Sequence, residues 1–133
     1  MDLGYIPGGH FFYEVSVTNI LIMDPDPIEQ ETLRKILERQ YSPANLMCFS
    51  DPLLAVKFGA NCPVDALYTV TAMKRMNGFE LAKMLRSFRP NIQLHFIVDT
   101  EKEKNDAMRI MADSCTMRPV TAESLSMAAE AEW

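Results

Sequence analysis

Asn19-Ile20-Leu21-Ile22-Met23 is an unbroken apolar run halted by Asp24-Pro25-Asp26-Pro27. A strand with one wet face alternates apolar and polar residues, whereas a run without alternation suits a parallel strand covered on both faces. A parallel strand reaches its neighbour only through a long crossover, usually a helix. The chain supplies one at once. From Pro27 to Gln40 the apolar residues Ile28, Leu33, Ile36 and Leu37 recur near helical spacing, and Pro27 sits in the first turn, where a missing N–H is no loss.

The same unit returns four more times. A short strand at 46–49 precedes Asp51 and Pro52, which read as N-cap and first turn of a helix over 53–59 that Gly59 can end. A third strand at 66–70 leads to a helix over 78–88, with Phe79, Leu81, Ala82, Leu85 and Phe88 as its buried side. A fourth strand at 92–98 leads to a helix over 101–112, and a brief strand at 115–117 to a closing helix over 121–132. Five such units joined by right-handed crossovers give a three-layer α/β sandwich around a five-stranded parallel sheet in the flavodoxin-like order 2-1-3-4-5. Residues 1–17, with Gly4, Pro7, Gly8 and Gly9 before the run from His10 to Val17, read as a flexible N-terminal extension with an extra strand; residues 18–133 form one domain.

With 133 residues, 48% of them hydrophobic, the chain can bury a real core. Its net charge of -5 offers no basic footprint for nucleic acid or an anionic membrane. No apolar run approaches the ~20 residues of a membrane span, so cytoplasmic residence is expected. Cys48, Cys62 and Cys115 are too scattered for a metal or redox motif and read as reduced thiols, and the ten Met residues as core filler. His95 lies in an apolar strand, as a satisfied or edge-facing side chain without a second ligand at metal spacing. Phosphate-binding glycine loops and nucleophile elbows are absent from the sequence. Neither catalytic residues nor a metal site are expected.

The stretch from Val64 to Leu81, with Asp65 entering a strand and Met76-Asn77-Gly78-Phe79-Glu80-Leu81 opening a helix, resembles bacterial response-regulator (CheY-like) receiver domains, as does Arg118-Pro119 near the end. The resemblance covers nearly all of residues 18–132. It implies a phosphoacceptor aspartate eight positions before Gly78 and five after Asp65, and both counts reach Val70. The two acids expected to hold Mg²⁺ fall on Asp24 and Pro25, with Asp26 one place beyond as a turn or cap residue. The hydroxyl position falls on Val98, and the lysine before proline becomes Arg118. The residues therefore predict a degenerate site with Mg²⁺ binding lost or weak, Val70 packed on Val98, and Arg118 hydrogen-bonded to Asp24.

The leading expectation is a phosphorylation-independent receiver-like domain of two-component type that acts through protein contact. The resemblance places its surface on the fourth helix, fifth strand and fifth helix, for a protein partner or a homodimer. There the chain carries Met108, Met111, Met127 and Trp133, with Cys115 at the family's switch aromatic. At least half of those Met residues are expected to face the sheet. The alternative is a divergent, Mg²⁺-dependent receiver still phosphorylated on Asp24, Thr69 or Thr71, fused to an output domain in the full protein. A small-ligand pocket of the flavodoxin-like class is disfavoured by the stiff, acidic Asp24-Pro25-Asp26-Pro27 turn.

Overall fold

A computed structural model describes residues 3–6, 10–13 and 17–130. Strands β1 (Leu3–Ile6) and β2 (His10–Tyr13) pair antiparallel with each other. Then β3 (Thr18–Met23), α1 (Pro27–Gln40), β4 (Ala44–Phe49), α2 (Pro52–Asn61), β5 (Ala66–Val70), α3 (Gly78–Phe88), β6 (Gln93–Val98), α4 (Glu101–Arg109), β7 (Ser114–Met117) and α5 (Ala122–Glu130) follow in strict alternation. The last five strands form one parallel sheet in the order β4-β3-β5-β6-β7, which is 2-1-3-4-5 counted from β3. Among the described residues β1 and β2 do not join that sheet. The extra strand expected within residues 1–17 falls partly on 14–16, outside the described residues.

Alternation along the strands divides the core into two layers. Ile20, Ile22, Ala66, Tyr68 and Ile97 pack with Leu33 and Leu37 of α1 and Leu125 of α5. Leu21, Met23, Leu67, Leu94 and Phe96 pack on the opposite face with Ala55 of α2, Leu81 and Leu85 of α3, and Ala107 of α4. Each buried Leu or Ile removed from water contributes about 1.5–3 kcal/mol, so both faces of β3 anchor the fold.

Two helix ends and the facing of one side chain depart from expectation for physical reasons. Helix α2 continues through Gly59 to Asn61 because Gly59 is a packing residue: a Cβ there would stand 2.2 Å from Leu85 Cδ2. Helix α4 stops at Arg109, since Met111 turns into the left-handed region at φ 61°. Phe88, placed on the buried side of α3, is exposed because it is the helix's last residue, where the chain leaves the sheet; Phe79 is partly buried against Phe96.

The layer under α1 and α5 contains a polar path. Tyr41 and Tyr68 hydroxyls lie 2.9 Å apart, the Tyr68 ring stacks on His95 with centroids 4.3 Å apart, and His95 Nδ1 meets Ser114 Oγ. Register aligns Tyr68, His95 and Ser114 across β5, β6 and β7. Burial holds the His95 imidazolium down at about pKa 4, so the ring is neutral at pH 7.

Candidate functional site

The strand ends from β3 to β7 meet where the receiver resemblance puts a phosphorylation site. Asp24 extends the β3 ladder through its N–H to Phe49 O at 3.1 Å and is 4% exposed. Its Oδ1 accepts the Asp26 N–H at 2.9 Å, and the Asp26 carboxylate in turn caps α1 by accepting the Ile28 N–H at 2.9 Å. Burial raises the Asp24 pKa, opposed by the Asp26 N–H and by the positive charge of Arg118. Pro25 is exposed between them. Gln30 fastens the turn by donating to Asp24 O at 3.1 Å and Phe49 O at 2.9 Å.

Val70 ends β5 and is 2% exposed, in the layer under α1 and α5. Immediately beyond it the chain closes tightly onto α3. The Gly78 N–H donates to Thr71 O at 2.8 Å, and a Cβ at Gly78 would lie 2.1 Å from Val70 O. Glycine is required here by the approach of two backbones. Asn77 and Glu80 complete a capping box at that helix start. Thr69 Oγ1 donates to Val70 O at 2.8 Å, and Thr71 Oγ1 is buried with no partner among the described residues.

Two expected pairings do not form. Val98 is fully buried at the end of β6, but in the layer under α2, α3 and α4. Val70 is in register with Ile97, so alternation turns Val98 to the face opposite Val70, and the expected plug of two touching valines is replaced by one valine in each layer. Arg118 follows β7 and reaches the neighbouring loop and helix instead of Asp24. Its Nε lies 3.1 Å from Asp99 Oδ1, without the alignment of a hydrogen bond, and its Nη1 lies 3.8 Å from Glu29 Oε2. Asp24 feels Arg118 only through space.

These residues do not fit a Mg²⁺ site. The ion wants octahedral oxygen ligation with at least one or two carboxylates. The side chains of Val70 and Pro25 supply no oxygen, the Asp26 carboxylate caps α1, and Asp24 is buried with one oxygen already accepting a backbone N–H.

Met108 on α4, Met111 just after it and Met127 on α5 are all exposed, Met111 at 83%. The expectation that at least half would face the sheet is corrected: α4 is amphipathic and buries only Ala107, and the left-handed turn at Met111 throws that side chain outward. Met117, which sequence reasoning passed over, joins them at the end of β7. Cys115 is half-buried against the α2–α3–α4 layer, and burial pushes its thiol up to about 11, so it is held as the unreactive thiol. Trp133 lies outside the described residues.

Sequence reasoning also missed a cleft of about 670 Å³ between the ends of β3, β4 and β5, lined by Pro25, Ser50–Pro52 and Ala72–Arg75. No single segment signals it, because three separate loops build it. Glu29, the second partner of Arg118, was equally hidden, although its position in an acidic first helical turn was readable.

No family model and no curated protein match the sequence. Solved structures do match the fold. A response-regulator receiver domain protein from Clostridium thermocellum superposes with a TM-score of 0.72 at 21% identity, covering 85% of this chain and 91% of that one. A CheY-like receiver domain protein from Methanospirillum hungatei gives 0.73 at 19%, covering 84% and 89%. A Burkholderia pseudomallei response regulator, solved with a phosphorylated aspartic acid, calcium ion and citrate, gives 0.72 at 18%, covering 85% and 66%. At these identities the likeness carries the fold: this chain has the architecture of CheY-like receiver domains.

Proposed function

We propose that the chain is a receiver-like signalling domain of two-component type that works by protein contact and accepts no phosphoryl group. The reading is carried by Val70, a buried side chain without an oxygen at the position where the receiver pattern has its acceptor. The engagement of Arg118 with Asp99 and Glu29 supports it, since that cation is already committed to carboxylates. The contact surface is the face of α4, β7 and α5, where Met108, Met111, Met117 and Met127 present adaptable apolar side chains to a protein partner or a second copy. The domain acts in the cytoplasm, and no described helix is long and apolar enough to cross a membrane.

Incubation with acetyl phosphate, or with beryllofluoride, in the presence of Mg²⁺ tests the phosphate half of the proposal. The expected result is an unchanged mass and an unchanged amide spectrum. A mass gain mapped to Asp24, Thr69 or Thr71 would establish a divergent phosphoacceptor instead.

A further inference from the structure

The cleft between the ends of β3, β4 and β5 lies at the point where the strand order reverses, which in open α/β sheets is where ligands bind. It sits on the β4 side of that point, away from Arg118 and Asp99. Its volume of about 670 Å³ falls in the range of small-molecule pockets. Pro25, Pro52, Ala72 and Met73 give it apolar walls, and Lys74 and Arg75 give it a cationic rim.

The rim is conformationally loaded. Met76 N–H donates to Lys74 O at 2.8 Å, closing a three-residue turn with Arg75 at its apex at φ 71°. Such a turn is strained for a residue with a side chain, and strain of this kind gathers at ligand clamps. From that apex Arg75 Nη1 reaches 3.5 Å to Asp51 Oδ2 on the opposite wall. Asp51 is also engaged by the Leu53 N–H, which donates to its Oδ1 at 2.9 Å. No carboxylate among the described residues pairs with Lys74. The lining thus holds one positive charge in excess, while Asp24 and Asp26 on either side of Pro25 oppose a second negative charge on any guest.

We propose that this cleft binds a small, largely apolar monoanion, such as an aromatic carboxylate, with its body against Pro25, Pro52 and Met73 and its charge at Lys74. The site is independent of phosphorylation and of the α4–β7–α5 face. The probe is 2-naphthoate, with 2-naphthylmethanol as neutral control and inorganic phosphate as compact anion, titrated into the full chain and followed by amide chemical shifts. Support would be shifts confined to residues near 25, 50–53 and 72–76, about fivefold weaker binding of the alcohol, and no shifts there with phosphate. Lys74→Gln should erase the difference between naphthoate and the alcohol. Met73→Trp should fill the cleft and abolish binding while the amide spectrum stays dispersed. Shifts centred on Thr32, Lys35 and Ile36, equal affinity for acid and alcohol in the native chain, or naphthoate binding unchanged by both substitutions would overturn the assignment.

Discussion

Arg118 and Asp99 stand 3.1 Å apart at the ends of adjacent strands, and through Glu29 the same guanidinium reaches the first turn of α1. One cation therefore ties the loop after β6, the loop after β7 and the start of a helix on the far side of Asp24. Because the three side chains are partly exposed, solvent screening limits the stabilisation. Arg118→Met should lower stability by about 1 kcal/mol in urea unfolding. Carboxyl NMR should show the Asp24 pKa rising further, since a charge that lowers it has gone. An unmoved Asp24 titration would mean that the two charges are not coupled.

A carboxylate at position 70 should harm the fold. Val70 is enclosed by apolar neighbours of the α1–α5 layer, so the carboxylate of Val70→Asp would be buried there without a partner. We expect a loss of about 3 kcal/mol or more at pH 7, recovered in part in acid as the new group protonates. A variant as stable as the native chain would show that the strand end opens to water.

Gly78→Ala should cost about 2–3 kcal/mol by denaturant midpoint, since the added methyl meets the Val70 carbonyl and the α3 start cannot retreat without losing the Thr71 bond. A near-neutral result would show that this junction has slack.

His95 makes stability depend on pH. Its folded pKa is depressed from 6.5 to about 4, so the unfolded chain binds the proton more readily. The folded state keeps its full advantage above pH 6.5 and loses up to about 3 kcal/mol as the pH falls from there to about 4. His95→Asn should be less stable at pH 7 yet flatter across that window. An equal slope in both proteins would place the titrating group elsewhere.

Asp24 has the opposite sense. Its folded pKa lies above 3.8, so the ionised carboxylate opposes folding above the folded pKa, and that penalty vanishes below 3.8. Asp24→Asn, which keeps an oxygen for the Asp26 N–H, should raise the urea midpoint at pH 7, with the gain shrinking toward pH 4. A lowered midpoint at pH 7 would mean that attraction to Arg118 outweighs burial.

The apolar run Ile20–Met23 was enough to announce a buried parallel strand, because its signal is local and lies within one segment. Gly78 was legible for the same reason, since its count back to Val70 stays within one loop. The facing of Val98 was not. It depends on the stagger between β5 and β6, set by a Gln93 N–H bond to Asp65 O at 2.9 Å across residues far apart in sequence. The partner of Arg118 likewise depended on how three loops converge. The exposure of Met111 turned on a single left-handed residue that apolar spacing does not encode.

The placement of Val70 and Val98 in different layers has a mechanical meaning. The sheet between them acts as a partition, with α1 and α5 in one compartment and α2, α3 and α4 in the other. Of the two compartments, only the one holding Val70 is spanned by the Tyr41–Tyr68–His95–Ser114 path, which gives it a polar brace from α1 to the edge strand β7.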